Sequence, residues 1–318
     1  MAAPRVSEKE FIDLFKQHGA AKVAVMLGLP VRSVHTRRKS IEERRGILIS
    51  APHSRNSRPD VKLEKPLWRQ TFDVETGHVL IGSDAHYWPG IKSTAHRAFV
   101  HLTKELKPKA VIVNGDMVDG ASISHHPALG HEWEECPSVV EEIETTKDRL
   151  HEIEQAAGKA KKFWNLGNHD QRFEARLAMA AKEYEGLKGF RLRDHFPLWD
   201  IAMSTWINDE VVVKHRYKGG IHATHNNTIN SGKSIFTGHL HSLKVTPFTD
   251  YNGDRWGGDT GTMADPNGPQ FVYGEDNPKN HRSGFIVLSF DRGRLLWPDI
   301  VHVISKDEVT FRGEVIKV

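Results

Sequence analysis

The stretch Val111-Ile-Val-Asn-Gly-Asp-Met-Val-Asp-Gly120 carries the fold prediction for this chain of 318 residues. It opens with three β-branched apolar residues, a run too short for a helix and typical of a buried strand. Gly115 ends the run, and the carboxylate of Asp116 follows at once. Open α/β sheets place their ligands at the carboxyl ends of the strands. Asp116 is therefore predicted to lie at a functional strand end.

Four other apolar runs, which begin at Val79, Lys162, Val211 and Ser234, end in the same way. Each is followed by a carboxylate, an amide or an imidazole. In chain order the five patterns are D-x-H, G-D-x-x-D-G, G-N-H-D, a single histidine and G-H-x-H, which lie at Asp84–His86, Gly115–Gly120, Gly167–Asp170, His215 and Gly238–His241. Oxygen and imidazole ligands at successive strand ends predict a metal site. Thiolate sites are excluded, because the chain has one cysteine.

These five elements, in this order, resemble the calcineurin-like metallophosphoesterase superfamily over roughly residues 75–305. The resemblance implies an α/β fold, a four-layer sandwich of two mixed β-sheets flanked by helices. It also implies phosphoester hydrolysis at a site of two divalent cations. By the same resemblance, one cation would be held by Asp84, His86, Asp116 and His241, and the other by Asp116, Asn168, His215 and His239.

The histidine of G-N-H-D is a general acid or a clamp on the phosphate in that family, and the resemblance carries this role to His169. A general acid suits an imidazole, whose ordinary pKa is about 6.5. Asp119 is expected to orient a ligand or to cap the turn rather than to bind a cation itself. Arg172 is predicted to bind substrate phosphate, with pairing to Asp170 or Glu174 as the alternative.

The chain departs from the family pattern at the fourth element. The family commonly has His-Gly there, whereas this chain has His215-Arg-Tyr-Lys-Gly-Gly-Ile-His222-Ala-Thr-His225. Three histidines compete for one ligand position, and His215 is favoured because it directly follows the strand. Manganese is the expected cation, with zinc, iron and nickel as alternatives, because mixed nitrogen and oxygen ligation suits all of them.

Spacing adds three structural expectations. An extended Asp84-Ala-His86 would put both side chains on one side of the strand, because side chains alternate with period two. His239 and His241 share this spacing and are expected to bind different cations. The glycine-rich segment 256–261 is expected to be a loop that shapes the substrate cleft.

The amino-terminal 48 residues are predicted to form a small all-α domain. Ser7-Glu-Lys-Glu10 is a capping box that begins the first helix, and Gly19 ends it. A short second helix, the turn Gly28-Leu-Pro30 and a third helix from Val31 to Arg45 follow. Ala24, Gly28 and Val34 have the spacing of a helix-turn-helix, in which a small residue lets the helices approach and glycine makes the corner.

Charge is unevenly distributed along the chain. Residues 1–60 carry twelve Lys or Arg and six Asp or Glu, a formal charge of +6, so the rest of the chain carries −3 of the total of +3. A basic segment favours an anionic partner. The third helix is therefore predicted to bind DNA, with Arg37, Arg38 and Lys39 on its phosphates. The alternative is a three-helix bundle that serves docking or assembly.

The predicted organisation is a helix-turn-helix domain at 1–48, a polar linker at 49–70 and a metallophosphoesterase domain at 71–318. The expected function is hydrolysis of phosphodiester bonds in DNA, as in a nuclease. The alternatives are a cyclic-nucleotide phosphodiesterase or phosphatase with an assembly module, and a DNA-binding adapter with a non-catalytic body. The layout resembles proteins carried by phages and prophages.

The cellular location is predicted from two features that are missing from the sequence. No apolar run is long enough to span a bilayer, and the amino terminus has no apolar signal core. The protein is accordingly expected in the cytoplasm, which is the host cytoplasm if a phage encodes it. The sequence does not predict an oligomeric state.

Overall fold

The computed structural model of the chain describes residues 6–47, 49, 51, 68–124, 136–274 and 279–318. The chain divides into two units, Met1–Pro66 and Leu67–Val318. The smaller unit contains one hydrophobic cluster, and the larger contains two. Most of the predicted linker, 49–70, lies outside the described residues.

The amino-terminal unit consists of α1 (Glu8–Leu27) and α2 (Val31–Arg45). Ser7 begins α1 with the predicted capping box. Gly19, with φ 73°, interrupts the helical backbone of α1, so the helix has two segments. Gly28 ends α1 in the left-handed conformation. The core of this unit consists of buried side chains from both helices, chiefly Phe11, Phe15, Val23, Leu27, Val34 and Ile41.

The larger unit contains two mixed sheets. The first has six strands in the order β1-β6-β7-β8-β10-β9, which are β1 (Gln70–Phe72), β6 (Ser204–Ile207), β7 (Val211–Lys214), β8 (Ser234–Thr237), β9 (Lys244–Asp250) and β10 (Gly253–Asp259). The second has the order β15-β14-β13-β11-β2-β3-β4-β5, and β12 pairs with β11. Its strands are β2 (Gly77–Gly82), β3 (Ala110–Val113), β4 (Lys161–Asn165), β5 (Asp200–Ala202), β11 (Gly284–Asp291), β12 (Arg294–Leu295), β13 (Asp299–Ser305), β14 (Glu308–Phe311) and β15 (Glu314–Lys317).

The described part of the larger unit contains four α-helices, namely α3 (Thr94–Leu106), α4 (Val139–Ala157), α5 (Asp170–Ala180) and α6 (Ala223–Ser231). Alternate residues of β2 divide the core: Val79 and Ile81 pack in a cluster shared with the six-stranded sheet, whereas Leu80 packs in a cluster shared with α3 and α4. Helix α6 packs against β8, β9 and β10. The four layers are therefore helices, sheet, sheet and helix, as the sequence predicts.

The prediction of a loop at 256–261 is wrong for residues 256–259. Those residues belong to β10, which pairs with β8 and with β9. Gly257 is required there by α6, because a Cβ at that position would lie 2.1 Å from the carbonyl oxygen of Thr224.

Among the described residues, no helix is both long enough and apolar enough to cross a membrane.

Candidate metal centre

The candidate ligands follow five strands of the two sheets. In the nine-stranded sheet β2, β3 and β4 are parallel neighbours, and in the six-stranded sheet β7 and β8 are parallel neighbours. Possible ligand atoms form three groups among the described residues, in each of which they lie within 4.8 Å of one another; two consist of predicted ligands, and the third is His86, Asp119 and His169. The first group is Asp84, His86 and His241, and the second is Asp116, His215 and His239. His239 and His241 thus lie in different groups.

Three buried polar atoms at this site make no well-aligned hydrogen bond to the described residues, although one of them, Nε2 of His215, lies 3.0 Å from Oδ2 of Asp116. They are Nε2 of His86, Nε2 of His215 and Oδ1 of Asn168. A buried polar atom without a partner costs roughly 1–3 kcal/mol. Imidazole nitrogens and carboxylate or amide oxygens are suitable ligands for divalent transition metals. The residues present therefore fit the binuclear centre that the family pattern implies.

The backbone at these ligands is strained. Among the described residues, ten non-glycine residues have a left-handed φ, and five of them are candidate ligands, with φ between 40° and 73°: Asp84, His86, Asp116, His239 and His241. Such residues cluster at functional sites. The expectation of an extended Asp84-Ala-His86 is therefore wrong. The strand ends at Gly82, and a left-handed backbone directs both side chains to the centre.

Two motif glycines leave room for the carboxylates. A Cβ at Gly167 would lie 2.1 Å from Oδ1 of Asp116, and a Cβ at Gly238 would lie 2.5 Å from Oδ2 of Asp84. Real Cβ atoms do not approach oxygen this closely, so a side chain at either position would displace a ligand. The glycines of G-N-H-D and G-H-x-H are thus explained by the space that the neighbouring ligands occupy.

Carboxylates and imidazoles shift each other's pKa at this centre. Burial by itself would raise the pKa of Asp84, but His241 and His215 hold it below its usual value. Burial by itself would also raise the pKa of Asp116, but His215 lowers it. Burial would lower the pKa of His215, but the charges of Asp116 and Asp84 raise it to about 10. Protons on the imidazoles therefore compete with cations for the same site.

Asp119 links two histidines of the site. Its Oδ1 lies 2.7 Å from Nδ1 of His86 and 3.1 Å from Nδ1 of His169. Asp119 thus contacts the second nitrogen of a candidate ligand, which is the supporting position expected for it. Burial would lower the pKa of His169, but the hydrogen bond and charge of Asp119, with the charge of Asp116, raise it above the usual value.

Arg172 lies beside this pair. Its guanidinium donates to the carbonyl oxygen of Asp119 at 3.0 Å and to Nε2 of His169 at 3.1 Å. The two carboxylates considered as its alternative partners accept other hydrogen bonds: Asp170 accepts from backbone N–H groups, and Glu174 accepts from the N–H of Leu192. The guanidinium is accordingly directed to the candidate catalytic histidine.

Two further rings lie at the first ligand group, and neither was predicted from the sequence. His281 places Nδ1 3.5 Å from Nδ1 of His241. Phe271 is buried, and its ring centroid lies 5.5 Å from His86 and 5.3 Å from both His241 and His281. Burial, followed by the neighbouring His241, lowers the pKa of His281 to about 4. Neither ring belongs to one of the five motifs, so no pattern in the sequence marked either of them.

The histidines that compete with His215 lie elsewhere. His222 is exposed at the amino terminus of α6, and His225 is exposed with its ring 5.6 Å from that of Phe248. His215 is 2% exposed and lies 3.0 Å from Asp116 through Nε2. The ligand role of His215, like that of the other candidates, stays a prediction.

A family model for calcineurin-like phosphoesterases matches residues 77–285. Two solved structures are similar to this chain. An archaeal phosphodiesterase matches at 14% identity and a TM-score of 0.35, with 70% of this chain and 99% of that chain covered. A protein serine/threonine phosphatase from Saccharomyces cerevisiae matches at 12% identity and a TM-score of 0.36, with 79% and 88% covered. No curated protein sequence matches. The family match spans most of the chain and includes every candidate ligand, so this protein belongs to the calcineurin-like phosphoesterases, which are metal-dependent hydrolases.

Proposed function

We propose that this protein is a binuclear-metal phosphodiesterase that cleaves DNA, and that manganese is its working cation. The observation that carries the chemistry is the pair of ligand groups. Buried imidazole nitrogens of these groups, and the amide oxygen of Asn168, make no well-aligned hydrogen bond to the described residues. The observation that favours DNA is the basic amino-terminal unit. Family membership supports phosphoester hydrolysis and leaves the substrate open.

The chain supplies a ligand cage and an acid–base pair. Asp84, His86 and His241 would hold one cation, and Asp116 with Asn168, His215 and His239 the other; we propose that Asp116 serves both. Two divalent cations, when bound, polarise a phosphoryl oxygen and acidify the attacking water. The protein's own part is to fix the ligands, and their strained backbone and contacting glycines do so.

His169 and Arg172 form the group that meets the substrate. Asp119 engages Nδ1 of His169, which leaves Nε2 as the atom that gives a proton to the leaving oxygen or binds phosphate. The guanidinium of Arg172, 3.1 Å from that Nε2, brings a fixed positive charge to the same point. Nε2 accepts from Arg172 in this arrangement; once His169 is protonated, Nε2–H and the guanidinium can each donate to a phosphodiester, which carries one negative charge.

Exposed cations beyond β7 favour an anionic substrate. Arg216 and Lys218 follow the ligand His215, and both are exposed. The charge of Arg216 is close enough to contribute to a lowered pKa at His239, after burial and the charge of His215. Positive charge at the rim of a cleft raises the local concentration of an anion such as a nucleic acid strand.

The amino-terminal unit is proposed to bind DNA as a helix-turn-helix. The kink at Gly19 separates a first helical segment from a second, and left-handed Gly28 leads through Pro30 into α2, the proposed recognition helix. Ala24 and Val34 are buried between them. Helix α2 exposes Arg32, Thr36 and Lys39 on its outer side. These residue types contact phosphates and base edges in a major groove.

Two of the predicted DNA contacts have partners within their own unit. The guanidinium of Arg37 lies 4.6 Å from the ring centroid of Phe11, and that of Arg38 lies 5.5 Å from that of Phe15. Arg38 also pairs with Glu42 at 3.5 Å. Lys39 is 74% exposed in its side chain, and its pair with Glu43 at 3.9 Å is weak at the surface. Lys39 and Arg32 are therefore the more available cations.

A substrate panel with Mn²⁺ tests the activity. It comprises bis-para-nitrophenyl phosphate, para-nitrophenyl phosphate, a cyclic nucleotide, and single- and double-stranded DNA. We expect turnover of the diester and of DNA, lost in Asp116→Asn and retained in His225→Ala, which changes an exposed histidine. Turnover of the monoester or the cyclic nucleotide without DNA would replace the proposal with a phosphatase or a cyclic-nucleotide phosphodiesterase. A protein that binds Mn²⁺ and turns over none of them would be a DNA-binding adapter or scaffold.

Two double variants of the full-length chain test the DNA-binding proposal. Binding to duplex DNA should weaken with salt by a slope of about −0.9 per phosphate contact. Arg32→Ala with Lys39→Ala should flatten the slope by about two units if both touch phosphate. Arg37→Ala with Arg38→Ala should mainly lower the melting temperature of the unit, because both guanidiniums pack on core rings. Flattening by the second pair, without melting, would assign the contacts to Arg37 and Arg38 instead. Unchanged affinity in both pairs, together with a changed light-scattering mass, would identify an assembly module.

A further inference from the structure

The three buried ligand histidines share one orientation. Nε2 of His86 has no hydrogen-bond partner among the described residues, Nε2 of His215 lies 3.0 Å from the carboxylate of Asp116, and Nε2 of His241 lies 3.0 Å from Oδ1 of Asp84. In each ring Nε2 therefore faces the cation position, and Nδ1 points away from it. The orientation of each ring then depends on the hydrogen-bond partner of Nδ1.

Each Nδ1 has a different kind of partner. His86 uses the Asp119 carboxylate at 2.7 Å, and His215 uses the carbonyl oxygen of Asn114 at 2.8 Å. His241 uses Nδ1 of His281 at 3.5 Å, with the two ring centroids 4.5 Å apart and the planes at 70°. A carboxylate, a backbone carbonyl and an imidazole thus occupy equivalent positions at three ligands.

A partner at Nδ1 fixes which nitrogen of a ligand carries the proton. A histidine that binds a cation through Nε2 must carry its proton on Nδ1, and a hydrogen-bond acceptor there selects this tautomer and ring orientation. For His241 to donate, the acceptor must be the Nδ1 lone pair of His281, whose own proton then lies on Nε2.

His281 is held in place from two sides. The N–H of Arg282 donates to the carbonyl oxygen of His241 at 2.7 Å, which ties the two chain segments together next to the paired rings. Phe271 contacts both imidazoles, with centroid distances of 5.3 Å to each. Backbone pairing and packing therefore both fix the position of the acceptor. A ring in chance contact with His241 would have neither.

We propose that His281 is a positioning residue that selects the metal-binding tautomer of His241 and so sets the cation affinity of the Asp84–His86–His241 group. The inference rests on the binuclear centre of the proposed function, since it concerns how one half of that centre is held. It goes beyond the five motifs, because His281 lies in none of them. It also predicts an asymmetry, because the His215 group does not use this partner.

Three substitutions separate hydrogen bonding from packing. His281→Phe keeps a ring against Phe271 and removes the acceptor. His281→Ala removes both. His281→Asn restores an acceptor oxygen of the kind that Asn114 offers to His215. The matched control is His225→Ala. Each full-length variant is titrated with Mn²⁺ by calorimetry, and the unfolding of the metal-free protein is followed in parallel.

Loss of a supporting partner costs about 10–100-fold in metal affinity. We expect a loss of this size at one of two sites in the Phe and Ala variants, and near wild-type affinity at both sites in the Asn and His225→Ala variants. Metal-free melting should be similar for wild type and the Phe variant. Wild-type affinities in the Phe variant would overturn the proposal. An equal loss at both sites, tracking a lower melting temperature, would make the residue merely structural. A wild-type protein that binds no Mn²⁺ would instead refute the proposed function.

Discussion

At the scale of single residues, His169 lies between the carboxylates of Asp116 and Asp119, outside the two groups of predicted ligands but within 4.8 Å of His86 and Asp119 in a third possible group. Its backbone N–H donates to Oδ1 of Asp116 at 2.8 Å, and its ring engages Asp119. His169→Ala should therefore keep both cations and lose roughly 10²–10⁴ in the rate of diester hydrolysis, the usual contribution of a general acid. Rate and metal content are measured on the same preparation, with His225→Ala as control. Lost metal would make His169 a ligand, and an unchanged rate would make it structural.

The carboxylate of Asp170 holds the loop that carries Asp116. Oδ1 accepts from the N–H groups of Met117 and Val118, and Oδ2 accepts from those of Asp116 and Gly167. The indole of Trp164 also donates to Oδ2. Asp170→Asn would turn an NH₂ group toward some of these donors. We expect a loss of about 3 kcal/mol in the free energy of unfolding, because at least two buried donors lose their acceptor.

Urea unfolding of the metal-free protein measures the effect of Asp170→Asn. The matched control is Asp194→Asn, an exposed aspartate that accepts from the backbone N–H groups of Gly189 and Arg191. The control should change the free energy of unfolding by no more than about 1 kcal/mol, since water can replace the lost bonds. Equal effects at the two positions would contradict the role assigned to Asp170.

Glu142 should make stability depend on pH. Burial raises its pKa from 4.5 to about 7, and the charge of Asp119 adds to the shift. The folded state therefore retains the proton that the unfolded state loses, so the stabilisation is complete below pH 4.5 and is lost as pH rises through 7. The loss is on the order of 3 kcal/mol. Glu142→Gln removes the titration and keeps one of the two oxygens that accept from the N–H groups of Gly120 and Ala121, a loss that does not depend on pH.

The pH effect is measured by urea unfolding between pH 4.5 and 8 in the absence of metal. The stability of Glu142→Gln relative to wild type should rise across this range. Glu141→Gln, which changes the exposed neighbour in the capping box of α4, should not reproduce the rise. Parallel curves for wild type and Glu142→Gln would show that the carboxyl group keeps its ordinary pKa in the folded protein.

At the scale of elements, α6 lies directly on β10 because the residue of that strand that faces the helix, Gly257, has no side chain. A Cβ at Gly257 would lie 2.1 Å from the carbonyl oxygen of Thr224 and 2.3 Å from Oγ1 of Thr228. Gly257→Ala should therefore push the helix outward and cost about 1–3 kcal/mol, the usual cost of overpacking. Gly219→Ala is the control, since its nearest neighbour would be 4.0 Å away. Urea unfolding that shows no difference between the two variants would contradict this packing argument.

Strand β10 also shows why some elements could not be predicted from the sequence. Strands β2, β3, β7 and β8 were predictable because a strand buried on both faces is a continuous apolar run. Strand β10 was not, because Gly257 and Gly258 favour a loop by propensity. Gly257 makes room for a helix about thirty residues earlier in the chain, and Gly258 makes room for Phe236 and Ile286 of the core. Tertiary packing here overrides local preference.

The candidate site divides in a similar way. Motif residues such as Asp116 and His241 were identifiable because strand ends and glycines mark them in the sequence. His281 and Phe271 were not, because their role depends only on proximity in space to His241, a residue at least thirty positions away. The left-handed backbone at Asp84 and His86 was also missed, since period-two alternation assumes an extended chain.

At the scale of the whole molecule, the two units have separate cores and opposite formal charge. The proposed DNA contacts lie in the basic Met1–Pro66 unit, and every candidate ligand lies in Leu67–Val318. All eight tryptophans lie in the larger unit as well, from Trp68 to Trp297. Tryptophan fluorescence therefore follows the unfolding of the larger unit alone, whereas far-ultraviolet circular dichroism also includes the helices α1 and α2.

This division predicts how metal changes the stability of the full-length protein. Mn²⁺ at 100 times its dissociation constant should stabilise the larger unit by about 2.7 kcal/mol per site, because the ligand binds only the folded state. That corresponds to roughly 5–10 °C in the fluorescence melting temperature for a unit of this size. The part of the dichroism change that belongs to α1 and α2 should not move. Asp116→Asn, which removes a charge from the ligand that we propose both cations share, should abolish most of the shift, and Asp194→Asn should leave it intact. A shift that appears equally in Asp116→Asn would place the bound Mn²⁺ away from the strand ends, and a dichroism transition that moves as a whole would mean that the two units unfold as one.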